Sequence, residues 1–391
     1  MNKKNKLAII YDMPYPFVIG GGQRRIYEIS KRLIEKNWEI DWYCLKTWEG
    51  NDSNVIVDGI NFIGIQKNVK LYSKNGKRNI KEALLYGFST LKIKIDTYSL
   101  IWFGEWPLFH ILFLYFKNFK TKKPFVIDWW ETWGDFWYEY SGIVKGIFGK
   151  GLEKFIIKKI GYKIVLSKKN IKELSRLGGN STRIFYVPVG TDFKYISSVA
   201  NYDELKYKSD LIYVGRLNKY KNVDHLILAV NLLREKNIHI KTVIIGNGPE
   251  EDKLRNLILE YGLKDNILLF NYIDSNEEVI RYLKGSKIFV NPSLKEGGQS
   301  ITNIEANACG LPIVVYKSDL GIDPEFISEN INGFSIKNPS VENLANKIES
   351  ILNLDYENIK AIKIGSMNFS MAYDWNNIVD SYCEIFQKIL N

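Results

Sequence analysis

Four short segments combine residue types that could handle an anionic, hydroxyl-rich ligand. Gly20-Gly21-Gly22 stands between an apolar run and an amphipathic one. Glycines there let backbone approach a ligand, and a following helix N-terminus favours negative charge; a plain connector has the same composition. It is not a GxGxxG fingerprint, because Arg24 and Arg25 occupy the later positions. Gly215-Arg216-Leu217 is followed by Lys221, so a guanidinium fork and an ammonium could meet a diphosphate, or simply be solvated. Glu296-Gly297-Gly298-Gln299-Ser300 precedes a helical stretch containing Glu305. Bare amides there would cradle phosphate, Glu296 could accept from sugar hydroxyls, and Glu305 could hold a ribose. Thr302 and Glu305 also fit a T-x-x-E capping box that needs no ligand. Finally, Asp128-Trp129-Trp130-Glu131-Thr132-Trp133 leaves an apolar run. Aromatic faces stack on sugars or settle at lipid interfaces, and the carboxylates could position an acceptor; a self-packed aromatic loop is the plain alternative.

These segments need elements to hold them. Short apolar runs (6–11, 39–45, 100–103, 125–128, 163–166) alternate with amphipathic stretches such as 24–35. The pattern restarts near residue 210, with strands expected at 210–214, 241–245, 267–270, 287–290 and 312–315 and helices at 224–234, 250–261, 277–284 and 301–309. This alternation predicts an α/β chain with two Rossmann-like, doubly wound domains. The seam falls near Pro188-Val189-Gly190, giving domains 1–190 and 191–372. In open sheets of this kind ligands bind beyond the carboxyl ends of the strands, which is where all four segments fall.

The 391 residues carry 54 Lys and Arg against 44 Asp and Glu, a net charge of +10. The excess belongs to residues 1–190, with 32 basic against 17 acidic side chains. A basic half can meet nucleic acid, an anionic membrane surface or an acidic small molecule. No nucleic-acid module stands out, and the acidic second half argues against that partner. Residues 67–94 and 145–159 interleave Lys with Leu, Ile and Phe and read as basic amphipathic helices, solvated or lying on a membrane. The longest apolar stretch, 106–116, is too short to span one. Three scattered cysteines and three histidines exclude a disulfide framework and a structural zinc site, and no metal dyad stands out.

Together, VGRLNKYKNVDHLI, IIGNGPEEDKL and NPSLKEGGQSITNIEANACGLPIV, with Tyr373-Asp374-Trp375 before a last helix, resemble the family-four retaining glycosyltransferases of the GT-B fold. The resemblance implies two domains facing a cleft, the helix at about 373–391 crossing back to the first. It implies a nucleotide-sugar co-substrate, UDP- or GDP-linked, with no other cofactor and no metal. Arg216 and Lys221 would bind the diphosphate, Glu296 the sugar hydroxyls and Glu305 the ribose. Gly246, Gly298, Gln299, Ser300, Ile301 and Thr302 would line the donor, Gly21 and Gly22 would reach it from the first domain, and Tyr272 and Ile273 would lie near the base. Two departures stand out. Eight residues, rather than seven, separate Glu296 from Glu305. Trp130 occupies the place of a His found in many members; since indole is no base, Glu131, Asp128 or the substrate would supply that role. The implied activity is transfer with retention, independent of metal, to a glycan or lipid-linked hydroxyl. The cytoplasmic face of a membrane is the expected setting, contacted through the basic first domain. A non-catalytic sugar-nucleotide binder and a nucleotide-sugar epimerase are the alternatives.

Overall fold

The computed structural model describes residues 4–67, 78–200, 205–296 and 298–391. Gly297 and four members of the basic segment, Lys70, Tyr72, Lys74 and Lys77, lie outside the described residues. The chain divides into two units, Met1–Pro188 with Trp375–Asn391, and Val189–Asp374.

The first unit is built on eight strands: β1 (Asn5–Ile10), β2 (Trp38–Lys46), β3 (Asn54–Val57), β4 (Ile60–Lys67), β5 (Leu100–Gly104), β6 (Phe125–Trp129), β7 (Tyr162–Val165) and β8 (Ile184–Tyr186). Their order is β3-β4-β2-β1-β5-β6-β7-β8, and every pair is parallel except β3 with β4. Central strands such as LIWFG are buried along their whole length, as a parallel sheet covered on both faces requires. The antiparallel edge hairpin departs from the sequence reading. Its turn is Asp58-Gly59, both with positive φ (49° and 79°), the two-residue turn whose twist matches flanking strands. The last helix, Trp375–Leu390, buries Trp375, Ile378, Val379, Tyr382 and Phe386 in the core that also holds Leu7, Trp42 and Trp102.

The second unit carries β9 (Ser209–Val214), β10 (Thr242–Ile245), β11 (Ile267–Phe270), β12 (Ser286–Asn291), β13 (Ile313–Tyr316) and β14 (Gly333–Ile336). All are parallel, in the order β11-β10-β9-β12-β13-β14. The chain winds outward from β9 to β11, then returns to place β12 on the other side of β9. That reversal opens a crevice at the carboxyl ends of β9 and β12, the usual ligand position in such sheets. The doubly wound expectation therefore holds for each unit.

Candidate functional site

The loops leaving β9 and β12 are tied by backbone, the Leu294 amide donating to the Tyr220 carbonyl at 3.1 Å. The first loop ends in a short turn, Lys219–Lys221, and Asn222 in the left-handed region (φ 49°) starts the next helix. Asn222 Nδ2 donates to the Pro292 carbonyl at 3.2 Å. These ties bring Lys221 to Glu296: Nζ lies 2.5 Å from Oε1, with side chains only 13% and 9% exposed. Asn291, the last residue of β12, donates to the same oxygen at 3.2 Å and to Asn303 Oδ1 at 2.9 Å. Arg216 is exposed, and its carbonyl accepts from the Tyr213 hydroxyl at 2.9 Å.

Gly298 adopts φ 90°, a conformation that favours glycine; its amide donates to the Glu296 carbonyl at 2.7 Å and its carbonyl accepts from the Asp323 amide at 2.6 Å. Gln299 is buried, its Oε1 accepting from the Val189 amide at 3.0 Å. Helix Ile301–Ala308 begins after Ser300, with no side chain capping it and no acid in its first turn. Thr302 is the second residue inside this helix, so the capping box open to the sequence does not form; its hydroxyl meets that of Ser300 at 2.9 Å. Glu305 follows one turn after Ile301 on the buried side. The Asn303 amide donates to the Ser300 carbonyl at 3.2 Å, and the start of the helix, without a side-chain cap and at the positive end of its dipole, suits an anion.

Gly246 has a packing reason of its own. A Cβ there would stand 1.8 Å from the Gly215 carbonyl oxygen, because the loops after β9 and β10 are laced together by Leu217 N to Asn247 O at 2.7 Å and Glu250 N to Leu217 O at 3.0 Å. Tyr272 and Ile273 follow β11, the former half exposed.

In the first unit Gly21 opens helix Gly21–Glu35, and Gly22 lies under Trp130, whose ring would come within 2.7 Å of a Cβ. Trp130 also meets Tyr11 edge-on at 5.3 Å. Asp128 stands near the end of β6. It is fully buried, receives Arg25 Nε on Oδ2 at 3.2 Å and the Tyr382 hydroxyl on Oδ1 at 2.5 Å, and burial pushes its carboxyl up while Arg25 and Tyr382 pull it back. Arg25 further donates to the carbonyls of Pro188 (2.5 Å) and Val187 (2.9 Å) and to Tyr382 (2.9 Å). Both Asp128 oxygens are thus engaged within the core of the first unit. Glu131 is half-buried.

Two acids that sequence reasoning missed fix the aromatic loop. Glu105, at the end of β5, accepts the amides of Trp130 (2.7 Å) and Glu131 (3.1 Å). Glu153 accepts those of Trp133 (2.7 Å) and Gly134 (2.9 Å). Burial, then the charge of Glu131, holds the Glu105 carboxyl well above the usual range. Trp133 stacks among Trp106 (4.4 Å), Tyr140 (4.6 Å) and Trp137 (4.8 Å), so this part of the loop is self-packed. A carboxylate directly after an all-apolar strand is the signal that could have revealed Glu105. Among the described residues, no group of three His, Cys, Asp or Glu is arranged to hold a metal ion.

Residues 200–365 match the family model described as Glycosyl transferases group 1. An uncharacterized glycosyltransferase of Methanocaldococcus jannaschii is 27% identical over the full length of both chains. The N,N'-diacetylbacillosaminyl-diphospho-undecaprenol alpha-1,3-N-acetylgalactosaminyltransferase of Campylobacter jejuni is 23% identical over 69% of this chain and 72% of its own. Sucrose-phosphate synthase of Thermosynechococcus elongatus superposes with a TM-score of 0.83 at 18% identity, covering 99% of each chain. HepE of Anabaena, solved with UDP-glucose, gives 0.74 at 15% identity over 98% and 99%. The expected GT-B fold and the resemblance to group 1 glycosyltransferases are borne out.

Proposed function

Taking a group 1 glycosyltransferase of the GT-B fold as premise, we propose that this chain moves a sugar from a nucleotide diphosphate to a hydroxyl of a glycan or lipid-linked acceptor, with retention and without a metal. The observation that carries this reading is the Lys221–Glu296 pair at the switch point of the second sheet, beside the uncapped start of helix Ile301–Ala308. The donor diphosphate takes Lys221, Arg216 and the helix amides. Glu296, released from Lys221, accepts from the sugar hydroxyls, and Glu305 holds the ribose. The bond from the anomeric carbon to the phosphate oxygen breaks, its electron pair leaving with the nucleoside diphosphate, whose charge the two cations and the amides stabilise. The acceptor oxygen bonds to the same face of that carbon, and its proton passes to the departing phosphate or to Glu131. With Asp128 engaged in the core, the substrate itself or Glu131 supplies the base. HepE's UDP-glucose supports a UDP-linked donor, and the undecaprenol-linked acceptor named for the Campylobacter relative supports a lipid-linked one. The N-terminal unit is the acceptor side and meets the cytoplasmic membrane surface peripherally.

A panel of UDP-, GDP- and ADP-sugars read by thermal shift tests the donor site. One class at 100 times its dissociation constant should stabilise the protein by about 2.7 kcal/mol. Arg216→Ala/Lys221→Ala should abolish both the shift and transfer. Full transfer by that variant, or no shift with any donor, refutes the assignment. Trp130 in the place of the His found in many members favours a second reading, a non-catalytic binder. Donor shift without turnover or donor hydrolysis selects it.

A further inference from the structure

Helices Phe136–Ser141 and Ile143–Lys159 form a hairpin, turned at Gly142 (φ 80°). The first two turns of its second helix are inside out, while Leu152, Ile156 and Ile157 further along are buried in the core. Gly146 and Gly149 take the inner face, so close to the first helix that a Cβ would lie 2.8 Å from the Tyr138 ring and 2.4 Å from that of Trp137. The bulky residues are thereby turned outward: Ile143 is 74% exposed, Val144 82%, Ile147 59% and Phe148 61%. A helix serving only a soluble core would place these types the other way round. The sequence expectation of a basic amphipathic helix over 145–159 is thus corrected at its first two turns, where the exposed stripe is apolar.

The charges around this stripe are mainly cationic, with Asp135 paired to Lys150 at 2.5 Å and Glu139 of the first helix as the exposed acids of the hairpin. The helix carries Lys145, Lys150, Lys154, Lys158 and Lys159, and its one carboxylate, Glu153, is buried on the loop amides. The apolar face continues from Phe148 through Phe109 (6.4 Å), and Phe88 of helix Ile80–Thr90, 55% exposed, stacks on Phe113 at 4.4 Å. Trp133, Trp137 and Tyr138 lie at the hairpin's base, the residue types that settle at a headgroup boundary. Apolar area ringed by long cationic stems fits an anionic bilayer surface, in which the aliphatic tip enters the acyl boundary and the ammonium groups stay with the phosphates.

We propose that the tip of this hairpin, Ile143, Val144, Ile147 and Phe148, is a wedge that seats the first unit in an anionic bilayer. This rests on the lipid-linked acceptor of the proposed function and names the surface that meets it. Glu153, on the same helix, holds Trp133 and Gly134, so a seated tip fixes the aromatic loop after β6 at the interface.

Flotation of the full chain with vesicles of phosphatidylcholine alone, and of phosphatidylcholine with phosphatidylglycerol, tests it. The protein should float with the anionic vesicles and stay behind with the neutral ones. Val144→Asp/Ile147→Asp should partition about tenfold less or weaker still. Both positions are solvent-facing, so that variant should keep the wild-type Tm and the donor-induced thermal shift, which separates lost docking from lost folding. Failure of the transferase reading would show in the donor shift alone, failure of the wedge in flotation alone. A variant that floats like the wild type overturns the proposal, as does a wild type that ignores anionic vesicles. So does a wild-type dimer that the variant makes monomeric while neither floats, since the face would then belong to a second copy.

Discussion

Arg25→Met probes whether the buried network around Asp128 serves the fold or the reaction. The guanidinium makes four hydrogen bonds: to Asp128 at 3.2 Å, the Pro188 carbonyl at 2.5 Å, the Val187 carbonyl at 2.9 Å and Tyr382 at 2.9 Å. Methionine keeps much of the volume and removes all four. Asp128, fully buried, would retain Tyr382 as its hydrogen-bond partner, and breaking a buried pair from one side costs about 3–5 kcal/mol. Two orphaned carbonyls add about 1 kcal/mol each where water cannot reach them. The sum, about 5–7 kcal/mol, is a large part of the ~5–15 kcal/mol that holds a typical domain together. Asp128→Asn should cost less, about 2–3 kcal/mol, because Arg25 keeps three acceptors while its Nε meets an amide. In the double variant no buried charge is stranded, and its cost should fall short of the summed singles by about 2 kcal/mol. Urea unfolding followed by tryptophan fluorescence reports this, Trp42 and Trp102 being buried in the same core as Tyr382. Additive losses, or wild-type midpoints in both singles, would refute the argument. An Asp128→Asn protein of normal stability without turnover would return Asp128 to the reacting groups.

Two further outcomes follow from the same kind of reasoning. Gly246→Ala places a methyl 1.8 Å from the Gly215 oxygen, so the loop bearing Arg216 must move; the urea midpoint should fall by the equivalent of about 2–3 kcal/mol and the donor-induced shift should shrink, whereas wild-type stability would contradict the close approach. Glu82, paired with Arg78, has its carboxyl pushed up from 4.5 to about 7 by burial and then by Asp12. The folded state therefore holds a proton that the unfolded chain releases above 4.5, and this contribution, full below 4.5, is lost as pH rises through about 7. Tm of wild type relative to Glu82→Gln should decline across that window, and a flat or rising difference would be inconsistent with a raised carboxyl.

Local chemistry made much of this molecule readable. The runs DLIYV, KTVII and ILLF lie within a residue of strands β9, β10 and β11; the first two are largely buried on both faces, as apolar runs in a parallel sheet are, while ILLF is an edge strand with Leu268 exposed. The glycine-bearing loops could be placed because they follow such strands. The seam read at Pro188-Val189-Gly190 stands beside the division after Pro188. The β3–β4 hairpin had a local signal too, in Asp58-Gly59 between alternating residues, but β3 is only four residues long and both strands are half-exposed. Other features had no local signature. Arg25 and Tyr382 are 357 positions apart, so nothing near Asp128 in sequence announces that both its oxygens are taken. In the first two turns of helix Ile143–Lys159, periodicity pointed the apolar residues inward, but steric contact with Trp137 and Tyr138 admits only the glycines there. Thr302 and Glu305 carried the capping pattern, yet the chain turns two residues earlier, at Ser300.

The last helix has a consequence for synthesis. The first unit cannot close its core until residues 375–391 leave the ribosome, whereas Val189–Asp374 is one uninterrupted stretch. The order of maturation should then run against the order of translation: the second unit completes while Arg25 and Asp128 still lack Tyr382, and the first, left with an open seam, waits for it. Until that moment the half with the basic, apolar-tipped surface is the half exposed to misassembly, and shortening the chain at its far end should loosen its beginning.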